Sequence, residues 1–173
     1  INLLKGAPGT AVTMQVARFA SESPLSVEVR RERLEPYSIV LSKLFQNDVG
    51  YIRLQQFGKN CAGEIKEVIL HLKSLGAKKL ILDLRDNEGG SIEEVIQILE
   101  QFLEPDKLII RTLGKSLEFN KEYRSSNDAP DLAMAIAVLV NEKSASSAEI
   151  LAGVMQEYDR AIIVGQQTFG KGT

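Results

Sequence analysis

A chain of 173 residues is the size of one domain, with room for a fragment of a second. Its 21 basic and 23 acidic residues nearly cancel, which leaves no electrostatic footprint for nucleic acid. One cysteine, Cys61, excludes an internal disulfide framework and a cysteine-rich zinc site, and no clustered ligands point to a metal.

The apolar runs, such as 132–140, are too short to span a bilayer, and no segment reads as a signal peptide. The chain opens at Ile1 inside what reads as an ongoing element, so any targeting segment would lie upstream. After a turn at Pro8 and Gly9, residues 11–18 alternate through Val12, Met14 and Val16, a strand signal. Residues 26–31, 38–41 and 49–54 are further short strand candidates. From residue 60 the period changes: Ile65, Val68, Ile69, Leu72 and Leu75 keep a helical stripe that Gly76 ends. Residues 79–84 read as a buried strand. After Gly89 and Gly90, Ser91 and Glu94 have capping-box spacing at the head of a helix whose face carries Ile92, Val95, Ile96, Leu99 and Leu103. Pro105 keeps that helix from running on into a strand at 108–111. Residues 113–130 are polar and turn-rich, the composition of a mobile surface loop. A strand at 135–140, a helix at 146–157 and a strand at 161–165 close the chain. Alternating strands and helices imply an α/β fold with a largely parallel sheet.

Two segments carry chemistry. Asn141 to Ile150 reads Asn-Glu-Lys-Ser-Ala-Ser-Ser-Ala-Glu-Ile, a serine cluster at a strand-to-helix turn. Gly165 to Gly172 reads Gly-Gln-Gln-Thr-Phe-Gly-Lys-Gly, with Lys171 in a glycine-flanked loop after a strand. A hydroxyl and an amine so placed are the ingredients of a Ser-Lys dyad. A lysine works as a base only when neutral, which burial favours, and Phe169 is placed to shield it. Each residue also has a plainer reading: Ser144, Ser146 or Ser147 as a helix cap, Lys171 as a solvated loop residue, and the two glycines as a tight connection. A Ser-His-Asp triad would depend on His71, the only histidine, which lies at the flank of a complete helical stripe and reads as a surface residue. The lysine loop nearly matches a phosphate-binding P-loop but fails at Gly172, where a magnesium-holding hydroxyl belongs.

These segments resemble the C-terminal processing peptidases, also called tail-specific proteases. The likeness extends to residues 6–10, to 49–54 with Phe57, and to 80–90, which ends Asp-Leu-Arg-Asp-Asn-Glu-Gly-Gly, and it follows the family's order along the chain. Aligned on Asn141 and Glu149, the resemblance implies Ser146 as nucleophile and Lys171 as general base. It implies an oxyanion hole formed by the Ser147 N–H and by the turn at Gly89 and Gly90, with the donating glycine left open. Lys143 stands where the family usually has glycine, and Ser147 where it usually has alanine. The implied architecture is a crotonase-like protease core over 20–173, incomplete at its C-terminus, with 1–19 as the last strand of a truncated PDZ domain. A glutamine that the family places beyond the lysine falls outside this chain. The implied function is a serine endopeptidase that cleaves proteins near apolar C-terminal tails through an acyl-enzyme. It would need no cofactor or metal, bind no nucleic acid and work outside the cytoplasm, in a periplasm, lumen or cell envelope; oligomeric state is left open. Two alternatives stand beside it: a non-catalytic peptide- or ligand-binding module on the same fold, and a P-loop-like nucleotide binder.

Overall fold

The computed structural model describes residues 4–19, 23–32, 37–46, 48–114, 120–126 and 133–171. The chain divides into two compact units, Ile1–Pro36 and Tyr37–Thr173. In the first, β1 (Ala11–Val16) pairs antiparallel with β2 (Leu25–Arg30), Ala11 opposite Arg30 and Val16 opposite Leu25. A boundary at residue 19, as drawn from the sequence, falls between these two strands.

The second unit is built on a five-stranded sheet. Its strands are β3 (Ile39–Phe45), β4 (Val49–Leu54), β5 (Lys79–Asp83), β8 (Ala135–Val140) and β9 (Ile162–Gly165), adjacent in that order. β3 and β4 form an antiparallel hairpin, and β4, β5, β8 and β9 run parallel. The parallel strands are joined through α1 (Cys61–Ser74), α2 (Ile92–Glu100) and α3 (Ser147–Glu157). The expectation of a mainly parallel α/β sheet therefore holds.

Period explains the core. Ile52, Leu82 and Val138 share one face across paired strands, and they cluster with Ile65 and Leu72 of α1, Val95 and Leu99 of α2, and Leu151 and Met155 of α3. The opposite face is less covered: Tyr51, Ile81 and Ala137 are half-buried and Ile162 is 71% exposed. The 79–84 strand is thus fully covered on one face only.

Two local expectations need correction. Ser91 caps α2 by accepting the Glu94 N–H, but the Glu94 carboxylate does not return to Ser91. It accepts instead from the N–H groups of Asn60 and Ala62 at 2.7 and 2.9 Å, where a carboxylate meets the N-terminus of α1. The supposed loop 113–130 contains β7 (Lys121–Arg124), which pairs antiparallel with β6 (Leu108–Thr112). Arg111 of β6 bridges to Glu122 directly opposite on β7 and so favours the pairing that polar composition hid. Residues 115–119 and 127–130 of that segment lie outside the described residues.

Candidate active site

Parallel strands end side by side, and so do the loops that leave them. Asp83 of β5 pairs with Leu139 of β8, and Val140 with Gly165 of β9. Three loops therefore meet at the C-terminal edge of the sheet: 84–91, 141–146 and 166–171. Such an edge is where open α/β sheets place ligand sites.

Ser146 is the N-cap of α3 with φ 55° and ψ −118°, a strained backbone for a residue with a side chain. A strained serine between a strand and a helix is how nucleophile elbows lift a hydroxyl from the main chain, here without the Gly-x-Ser-x-Gly sequence. Ser146 and Glu149 have the placement of a capping box, yet the Glu149 N–H goes to the Ser146 carbonyl at 2.8 Å, so no cap bond holds the hydroxyl. The neighbouring serines are committed. Ser144, fully buried, donates its hydroxyl to the Leu84 carbonyl at 2.7 Å and accepts the Asn141 N–H at 3.0 Å. Ser147, also buried, donates to the Gly90 carbonyl at 3.0 Å. Of the three, Ser146 alone is half-buried with its hydroxyl unspent.

The glycine turn lies directly against this serine. A side chain on Gly89 would meet the Ser146 Cβ at 2.7 Å and the Ser147 nitrogen at 3.1 Å. Gly90 has φ 147°, and a Cβ there would run into the Phe57 carbonyl. The buried Gly89 donates its N–H to Asn87 Oδ1 at 2.8 Å. The N–H groups of exposed Gly90 and of Ser147, the first residue of α3, have no acceptor among the described residues.

Asn87 and Glu149 are the residues whose roles sequence reasoning missed. Asn87 is buried; besides holding Gly89, it donates to the Leu54 carbonyl at 2.9 Å and its own carbonyl accepts the Ala145 N–H at 2.9 Å. Glu149 ties the lysine loop to the serine. Its Oε2 accepts the N–H of Ser146 and of Lys171, both at 2.9 Å, and its Oε1 accepts the Gly170 N–H at 2.6 Å and the Thr168 hydroxyl at 2.8 Å. Burial alone would raise the Glu149 pKa, but these donors outweigh it and hold the carboxyl below its ordinary range. The Ser-x-x-Glu spacing was the available signal, and it pointed to a helix cap alone.

Ser146, Ser147, Gly89, Gly90 and the backbone of Lys171 are therefore brought together. One expectation fails: the lysine is not shielded. Lys171 is exposed and Phe169 is 67% exposed, because the loop is anchored through backbone groups and no apolar element among the described residues covers it. Gly172 lies outside the described residues. The P-loop alternative loses its chemistry, since the Gly170 and Lys171 N–H groups that would cradle phosphate already hold a carboxylate. His71 is exposed on α1, and among the described residues no cluster of His, Cys, Asp and Glu could hold a metal.

A mainly parallel α/β sheet with a strained serine at its C-terminal edge defines the chain as an α/β protein. The chain belongs to peptidase family S41, whose model matches residues 48–173. It is 35% identical over 172 residues to a probable CtpA-like serine protease of Staphylococcus aureus, covering 98% of this chain and 33% of that protein. A protein of the same description from Staphylococcus haemolyticus is 31% identical, with 99% and 34% covered. The chain thus spans about a third of the length of the curated relatives it matches. Among solved structures, the photosystem II D1 C-terminal processing protease superposes with a TM-score of 0.69 at 22% identity, over 96% of this chain and 46% of that one. At that identity the likeness speaks for the fold.

Proposed function

We propose that this chain carries the catalytic core of a serine endopeptidase that uses Ser146 as nucleophile and Lys171 as general base. The single observation behind the reading is the strained Ser146, whose hydroxyl alone among three neighbours is uncommitted, with the Lys171 loop tied to its N–H through Glu149. Family membership and the names of the relatives support it.

In this mechanism neutral Lys171 takes the Ser146 proton as the oxygen adds to the scissile carbonyl. The negative oxygen would be met by the N–H groups of Ser147 and Gly90, which have no acceptor among the described residues. Gly90 is preferred to Gly89 because the Gly89 N–H already serves Asn87. Collapse of the adduct breaks the C–N bond, and Lys171 returns the proton to the leaving amine. Water then adds to the ester by the reverse sequence, Lys171 taking its proton and giving it back to Ser146.

The finer reading includes a crotonase-like core, a C-terminal remnant of a PDZ domain at the start of the chain, substrates with apolar C-terminal tails, and work outside the cytoplasm. These rest on resemblance to the family. Among the described residues no helix is long and apolar enough to cross a membrane.

The test is peptide cleavage by the intact protein. Ser146→Ala should abolish it, whereas Ser144→Ala and Ser147→Ala should keep much of it while losing stability by about 0.5–1.5 kcal/mol for each hydrogen bond removed. Lys171→Arg should be inactive, because guanidinium cannot give up its proton near neutrality. Full cleavage by the Ser146→Ala or Lys171→Arg protein would overturn the dyad, whereas no cleavage by the wild type would favour a non-catalytic binding module.

A further inference from the structure

We infer that Asp86 is a positioning residue for the oxyanion site, acting through a reciprocal clasp with Asn141 that holds the glycine turn against the serine turn. This rests on the Ser146–Lys171 reading, because it concerns where that mechanism's two oxyanion donors stand.

The clasp is double. The Asp86 N–H donates to Asn141 Oδ1 at 2.9 Å, and Asn141 Nδ2 donates back to Asp86 Oδ1 at 3.1 Å. Asn141 Oδ1 also accepts the Lys143 N–H at 3.2 Å, so one amide orients both loops. Two cations flank the aspartate. Arg53 Nη2 lies 3.1 Å from Oδ2, and Lys143 Nζ lies 3.7 Å from Oδ1. These residues come from β4, from the turn after β5 and from the loop after β8, so the clasp crosses three neighbouring strands at their C-terminal ends.

Two observations show that the arrangement is held at a cost. Asp86 has φ 64°, the left-handed region, a sparsely populated conformation for a residue with a side chain, although aspartate tolerates it better than most. Arg53 Nε is buried and has no hydrogen-bond partner among the described residues. Costs of this kind gather at functional sites. Lys143, the departure from the family's usual glycine, is thereby given a place: it adds a second positive charge to the aspartate of the clasp.

The consequence is geometric. Gly90 sits on the clasped turn and Ser147 follows the clasped loop, and an oxyanion needs both N–H groups near 2.7–3.1 Å at once. A small slip between the loops weakens transition-state binding and leaves ground-state binding of the peptide nearly unchanged.

The experiment is steady-state cleavage of a chromogenic peptide with an apolar C-terminal tail by the intact protein, beside the affinity of a peptidyl boronate, which mimics the tetrahedral adduct. Asp86→Ala should lower kcat about tenfold, less than the hundredfold or more that loss of a whole oxyanion donor costs. KM should change less than twofold, and boronate affinity should fall in step with kcat. Asn141→Ala, which removes both halves of the clasp, should give at least that loss, and the double variant no more than Asn141→Ala alone, since the Asp86 side chain acts through Asn141. Asp86→Asn keeps an acceptor for Asn141 and should recover most of kcat, which also covers the case in which Asp86→Ala fails to fold. Unchanged kcat in both Asp86→Ala and Asn141→Ala, or a loss carried by KM alone, would overturn the clasp. The wild type should also be labelled at Ser146 by a fluorophosphonate. Absence of that labelling would overturn the protease reading and the clasp with it, whereas a labelled wild type with indifferent variants would overturn the clasp alone.

Discussion

Glu149 shows how one side chain can organise a site without touching the reacting atoms. Its carboxylate accepts four donors, one beside the nucleophile and three in the lysine loop. Charge-assisted hydrogen bonds of this kind are about twice as strong as neutral ones, and no smaller residue reaches both loops. Glu149→Ala should therefore cost about 1.5–3 kcal/mol of stability and free the lysine loop. Glu149→Gln retains one acceptor oxygen and should lose less. Amide hydrogen exchange at Gly170 and Lys171 is the measurement, with faster exchange in the Ala variant than in the Gln variant; equal protection in all three proteins would show that something else anchors the loop. The nearby serines teach a related lesson. Ser144, Ser146 and Ser147 are chemically alike, and only their hydrogen bonds separate two structural hydroxyls from one free one.

At the scale of elements, the glycine turn is where backbone geometry decides function. Phe57 forms an isolated parallel bridge with Gly90: its N–H goes to the Gly89 carbonyl at 3.0 Å, and its carbonyl accepts the Ser91 N–H at 2.9 Å. This bridge leaves the Gly90 N–H outside the ladder, free for another acceptor, and brings a carbonyl into the space a side chain would need. Gly90→Ala should thus be destabilising by about 1–3 kcal/mol, through strain at φ 147° and the clash with Phe57. Chemical denaturation reads the cost, and a midpoint equal to the wild type would contradict the geometry. Much of this level was legible. Strand and helix periods placed β4, α1, β5, α2, β8, α3 and β9 within a few residues, because each buries an apolar face at its own repeat. β7 was missed because its burial is slight and its side-chain tie to β6 is the Arg111–Glu122 ion pair, charges that read as loop.

For the molecule as a whole, acid is the informative perturbation. Asp83 is fully buried and bonded to the Tyr51 hydroxyl at 2.6 Å and to Arg85 Nη2 at 2.6 Å. Burial would raise its pKa, but Arg85 and Tyr51 outweigh burial and lower it, and Glu149 is lowered as well. A carboxylate depressed in the folded state adds stability that is full above its unfolded pKa, near 4, and is lost as pH falls through the folded value. The denaturant midpoint should therefore hold down to about pH 4.5 and decline below it. Asp83→Asn, less stable at neutral pH because it unpairs Arg85, should show a shallower acid decline. A decline identical to the wild type would assign acid sensitivity elsewhere.

Local pattern determined the α/β class, the parallel sheet and the neighbourhood of the site, since hydrophobic period, glycine turns and strand order act over short stretches of chain. The resemblance carried by residues 80–90, 141–149 and 165–172 supplied the register that singled out Ser146 and Lys171. Tertiary structure alone decided which serine hydroxyls are committed to carbonyls and which glycine N–H is held by Asn87. It also paired Asp86 with Asn141, residues far apart in sequence. Those outcomes depend on donors and acceptors meeting across three loops. The meeting is set by how β5, β8 and β9 align in the sheet, which no single stretch of sequence contains.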